Sequence, residues 1–161
     1  IHERLVGSEM CIRDSINTLA SFSGISLIMV GGNFDKKSQS FYGTRALEFV
    51  RSYHVDKAFF SCRSINYKSG VMDSNEKTSD IRRMIIDQSD RAYLCVDSSK
   101  FGANSFVSIC NFDALTGLIT DHIPSEEWRT FLSKSGLSTY AYDELDTAAP
   151  LASPAEEQQA E

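Results

Sequence analysis

The sequence predicts an α/β domain with a mostly parallel sheet flanked by helices, and three observations carry that expectation. Short apolar runs of strand length, residues 25–30 (ISLIMV), 58–62 (AFFSC), 92–96 (AYLCV) and 118–119 (LI), recur along the chain. Between them lie stretches whose apolar residues fall at helical spacing. The run at 92–96 then stops abruptly at Asp97-Ser98-Ser99-Lys100, which places a carboxylate, two hydroxyls and an ammonium side by side. Open α/β sheets bind ligands where strands end at their carboxyl side, so this junction suits a polar, anionic small molecule. Read alone, the same four residues also make an ordinary turn.

A chain of 161 residues makes one domain with a real core, and 42% hydrophobic with 24% charged residues is ordinary for a globular protein. No apolar run reaches the roughly 20 residues needed to cross a bilayer. No stretch reads as a cleaved signal peptide. The four cysteines, Cys11, Cys62, Cys95 and Cys110, show no Cys-x-x-Cys or Cys/His spacing, which speaks against zinc. Buried reduced thiols in a cytoplasmic protein account for them, and no metal or cofactor is expected. The net charge of −6 sits in the C-terminal tail, where Asp143, Glu144, Asp146, Glu156, Glu157 and Glu161 follow the last basic residue, Lys134. The chain ahead of the tail is neutral and offers no basic face to nucleic acid.

The first residues read as foreign to the domain. Residues 5–14, LVGSEMCIRD, are what CTC GTG GGC TCG GAG ATG TGT ATA AGA GAC encodes. That string resembles the translated end of a transposon-type sequencing-library adapter. On that reading residues 1–15 are a scar fused to a gene fragment, and the protein's own N-terminal part lies upstream of Ile16.

Ile16, Leu19, Ala20 and Phe22 suggest a short helix, broken at Gly24. The strand at 25–30 ends in Gly31-Gly32, where the backbone can turn or approach a ligand closely. Residues 33–39 read as a polar loop. Over 42–53, Ala46, Phe49 and Val50 make one apolar helical face. Gly43 and Thr44 stand at its start, where free N–H groups can meet an anion. The strand at 58–62 ends in Arg63-Ser64, and residues 67–70 read as a turn. Asp73-Ser74-Asn75-Glu76 has capping-box spacing, with an acid in place of the usual hydroxyl. The helix beyond it is expected to bury Ile81, Met84 and Ile85 and to show Arg82, Arg83 and Asp87 to water. Another strand is expected at 105–110. Pro124 or Ser125 opens a last helix with Trp128, Phe131 and Leu132 on one face and Gly136 at its end. Residues 137–142 give a final strand, and the acidic stretch 147–161 is expected to be disordered.

The order of these pieces resembles the C-terminal sensor domain of DeoR-family bacterial transcriptional regulators. The resemblance rests on Gly31-Gly32 after an apolar strand, Phe41-Tyr42-Gly43, Asp56-Lys57-Ala58-Phe59, residues 70–76 (GVMDSNE), Arg82-Arg83-Met84-Ile85, residues 96–101 (VDSSKF) and residues 118–121 (LITD). It spans residues 16–142, and its specific part is Asp-x-Ser-Lys-Phe followed by Ile-Thr-Asp. It implies a Rossmann-like fold related to that of ribose-5-phosphate isomerase and the CoA transferases. It also implies a cytoplasmic regulator whose N-terminal winged helix-turn-helix binds an operator. The sensor domain of such a protein binds a phosphorylated sugar or related metabolite and forms homo-oligomers. The helix-turn-helix and the family's Gly/Thr-rich phosphate loop would both lie upstream of Ile16. Residues 16–146 are therefore expected to be an N-terminally truncated sensor domain. Where the family often has a Gly-rich turn, this chain has Ser61-Cys62-Arg63-Ser64. Arg63 adds a bidentate donor for phosphate or marks a different effector.

On this reading the effector site takes Asp97, Ser99 and Lys100 from the strand end and Asp73, Asn75 and Glu76 from a helix start, with Arg63, Gly31, Gly32 and Gly43 around them. No catalytic residue is assigned. The alternative is a sugar-phosphate isomerase-like enzyme on the same fold, which needs a carboxylate base beside a carbonyl polarised by a cation; Asp97 and Lys100 are the right types, and Glu76 is a further carboxylate for it. An upstream helix-turn-helix would favour the regulator, and a start codon just ahead of the sheet would favour the enzyme. A third reading is that the fragment binds nothing, its site half-built and its sheet short of a strand.

Overall fold

The computed structural model describes residues 26, 28–36 and 40–142. The expectations for residues 1–15, for a helix over 16–22 and for the tail beyond Asp146 lie outside the described residues. The described chain opens with a hairpin, β1 (Asn33–Asp35) and β2 (Ser40–Tyr42), followed by α1 (Thr44–Arg51). Then come β3 (Val55–Phe60), a second hairpin of β4 (Ser64–Asn66) and β5 (Gly70–Asp73), α2 (Glu76–Asp87) and β6 (Ser89–Cys95). A tight turn at Ser98–Lys100 leads to β7 (Val107–Cys110), β8 (Gly117–Thr120), α3 (Glu126–Ser135) and β9 (Ser138–Ala141).

The expected parallel sheet is present, in the order β3-β6-β8-β9 with every pairing parallel. Its register aligns Phe60, Leu94 and Leu118 across three strands. With Ala92 and Val96 they enter a core closed by Ile65, Val71, Ile109, Phe112, Leu115, Trp128 and Leu132. The alternate residues face the other way: Phe59 is 60% exposed and stacks on Tyr93 at 5.2 Å.

Three local expectations need correction. The apolar run at 25–30 makes no ladder among its described residues, and Ile28 and Met29 are exposed; without a pairing partner an apolar run is not a strand. The loop expected over 33–39 is in part a hairpin, because Phe34 and Phe41 face each other across it with ring centroids 5.4 Å apart. The turn expected at 67–70 is present and joins β4 to β5, and β5 also pairs with β7, giving a separate antiparallel sheet. Gly70 makes that hairpin possible: its φ is +71°, and a Cβ there would lie 2.5 Å from the Cys110 carbonyl oxygen.

The third correction concerns α2. Its N-cap is Asn75, whose side chain accepts from the Lys77 N–H at 3.0 Å, while Asp73 is buried at the end of β5. Thr78 and Ser79 are the buried helix residues, because their hydroxyls donate to the Asn75 carbonyl at 3.1 and 2.8 Å and so carry no unsatisfied donor. Ile81, Met84 and Ile85 are only half-buried, and Arg82 turns inward rather than toward water. The last helix follows expectation, with Ser125 accepting from the Trp128 N–H at 3.3 Å and Gly136 left-handed at its end.

Candidate functional site

A cavity of about 570 Å³ opens beside the carboxyl ends of β3 and β5 and the start of α2. Ser61, Cys62 and Arg63 line it from the β3–β4 connection, Asp73 and Ser74 from the end of β5, and Asn75, Glu76, Lys77, Thr78 and Arg82 from α2 and its cap. Lys100 reaches it from the turn after β6, with Asp35 and Phe106 completing the wall.

Five of the residues expected in a site thus meet: Arg63, Asp73, Asn75, Glu76 and Lys100. Asp97 and Ser99 stand behind Lys100 instead. Asp97 accepts from the Ser99 N–H at 3.0 Å and from the Ser99 hydroxyl, which caps the turn, and it lies 3.8 Å from the Lys100 ammonium. Gly32 and Gly43 border a different hollow of about 310 Å³ with Asn33, Tyr42, Thr44 and Arg45, and Gly31 borders neither.

The turn bearing Lys100 is tied to the neighbouring strand end. Asp121, just after β8, accepts from the Ser98 N–H at 2.7 Å and the Ser98 hydroxyl at 3.0 Å. It also accepts from the Thr120 hydroxyl at 3.0 Å and the His122 N–H at 2.9 Å. Burial pushes its carboxyl upward, but these hydrogen bonds outweigh that and hold it at about 2. Behind the turn, Gly102 N–H donates to the Ile65 carbonyl at 2.8 Å, so β4 supports the same segment.

Arg82, Lys77, Cys62 and Phe106 line the cavity without having been expected there. Arg82 pairs with Asp73 at 2.5 Å, and Lys77 sits 5.0 Å from the centre of the Tyr42 ring. Burial pushes the Cys62 thiol up to about 12, with Arg82 opposing that rise, so it lines the wall as a neutral group rather than a nucleophile. Four cationic side chains (Arg63, Lys77, Arg82, Lys100) and three carboxylates (Asp35, Asp73, Glu76) therefore share one open hollow. Cations can hold an anionic group and carboxylates can accept from hydroxyls, a combination that suits a polyhydroxylated anion. Among the described residues there is no group of three or more His, Cys, Asp or Glu able to hold a metal ion, and no helix long and apolar enough to cross a membrane.

The family model described as the DeoR C terminal sensor domain matches residues 13–122. The chain is 38% identical over 103 residues to the uncharacterized HTH-type transcriptional regulator YulB of Bacillus subtilis, covering 64% of this chain and 40% of that protein. It is 30% identical to the HTH-type transcriptional repressor GlcR of Bacillus subtilis, covering 78% of this chain and 50% of the relative. It is also 26% identical to the L-fucose operon activator of Haemophilus influenzae, again covering 78% and 50%. The chain thus spans half or less of the length of these relatives, all of them named as transcriptional regulators and none as an enzyme. With over half its length matched to the family model, the chain belongs to the DeoR C-terminal sensor domain family.

Proposed function

We propose that this chain is the effector-sensing part of a bacterial transcriptional regulator of carbohydrate metabolism, with residues 16–146 as the sensing unit. The effector is a phosphorylated sugar or a related metabolite. The observation that carries the reading is the meeting of Arg63 and Lys100 with Glu76 around one cavity, cations for a phosphate beside a carboxylate for hydroxyls. The named relatives support a sugar-derived effector, since one activates an L-fucose operon. Operator contact belongs to a winged helix-turn-helix ahead of residue 16, in a cytoplasmic homo-oligomer. The isomerase alternative loses Asp97, which is occupied by Ser99 and stands outside the cavity wall, and it keeps only Glu76 beside Lys100; the relatives, named as regulators, favour the sensing role.

Replacing Lys100 with Met keeps the aliphatic stem and removes the charge. Loss of a charged hydrogen bond costs about 1.5–3 kcal/mol, roughly ten- to a hundredfold in affinity for a sugar phosphate. Folding should change little, because the contact to Asp97 is long and partly exposed. Calorimetric titration with sugar phosphates beside thermal melts separates the two effects, and unchanged affinity for the best ligand would return Lys100 to the role of a turn residue.

A further inference from the structure

Arg82 departs furthest from its expected place on a solvated helix face. Its Nη1 donates to Oδ2 of Asp73 at 2.5 Å, and the side chains are only 23% and 10% exposed. Both line the cavity. Asp73 cannot easily follow Arg82 if it moves, because its other oxygen accepts from the Ser74 N–H at 2.6 Å and the Asn75 N–H at 3.3 Å. A guanidinium carries five N–H donors in a rigid fork. Asp73 is the one hydrogen-bond acceptor Arg82 has among the described residues, which leaves most of that fork uncommitted at the cavity wall. A half-buried guanidinium, oriented on one side by a fixed carboxylate and open on the other, is suited to take a phosphate through paired hydrogen bonds.

We propose that Arg82 is an anion-binding residue of this cavity, taking the effector's phosphate on its uncommitted donors, and that Asp73 is its positioning residue. The inference rests on the effector-site reading above and deepens it by assigning the phosphate to a residue on α2. Lys100 and Arg63 then add charge from other elements, while Arg82 supplies the directional part of the recognition. An uncharged sugar gains little from that fork, so the preference for a phosphorylated sugar over its parent reports Arg82 specifically.

The test uses the full 161-residue chain. Glucose 6-phosphate, fructose 1-phosphate and ribose 5-phosphate are titrated calorimetrically, each beside its unphosphorylated parent, together with inorganic phosphate alone. Arg82→Met by itself would strand the buried Asp73 carboxylate, so the variants are Arg82→Lys, Asp73→Asn and the double change Asp73→Asn with Arg82→Met, each checked by a thermal melt. The double variant is expected to lose about ten- to a hundredfold of the preference for the phosphorylated sugar. Arg82→Lys keeps the charge and loses the fork, and should lose part of that preference. Asp73→Asn keeps the guanidinium but frees it, and should lose part of that preference as well. A full preference retained in both Arg82 variants overturns the inference and leaves the effector-site reading standing. A wild-type chain that prefers none of the phosphorylated probes overturns both.

Discussion

Asp121 fastens the end of β8 to the turn that presents Lys100, and its acidity has a consequence for stability. Its carboxyl lies near 2 in the folded chain against an ordinary value of 3.8. A depressed folded value means that the unfolded chain binds the proton first as pH falls. The stabilisation is therefore full above about pH 4 and is lost as pH drops through about 2. Urea melts of the wild type and Asp121→Asn between pH 2 and pH 6 should show a gap that is constant above pH 4 and closes toward pH 2. A gap that persists unchanged at pH 2 would sink the assignment. At this scale the sequence shows Lys100 and Asp73 clearly, since both punctuate the end of an apolar run. It hides Arg82, because helical periodicity gives a residue's angle to the apolar stripe and says nothing of an acid waiting at the end of β5. Gly32 and Gly43 mislead for the opposite reason: a glycine marks freedom of the backbone, and that freedom serves a different hollow here, while Gly31 borders neither.

The elements divide in the same way. The strands β3, β6 and β8 are legible because each carries a short apolar run that feeds the core through Phe60, Leu94 and Leu118, and the last helix is legible from its cap, its aromatic face and its terminal glycine. The antiparallel sheet is not, since β4, β5 and β7 hold three or four residues each and β7 pairs across the whole of α2 and β6. Such pairing leaves no local period to read. Its most exposed dependence is on Gly70. Gly70→Ala would force a side chain into left-handed backbone and against the Cys110 carbonyl, and is expected to cost about 1–3 kcal/mol. Thermal denaturation reads that loss directly, and a melting temperature equal to the wild type's would show that the hairpin does not depend on this glycine.

For the whole molecule, the notable asymmetry is that β3 closes one side of the parallel sheet with no partner on its outer edge among the described residues. Val55 and Phe59 are exposed along it. Open strand edges beside apolar surface promote association between chains. The purified chain is expected to gain mass with concentration in light scattering, and Phe59→Lys should move it toward the single chain without altering the melt. A wild type that stays monomeric throughout would refute this. The cavity has a different relation to the chain. Apart from Asp35, every side chain on its wall comes from residues 61–106, one unbroken stretch. β8, α3 and β9 lend it support from behind, chiefly through the Asp121 contact to Ser98. A single recombination event spanning that stretch therefore transplants nearly the whole wall at once, so a new ligand preference can be inherited as one piece of gene while the rest of the domain is left as it was.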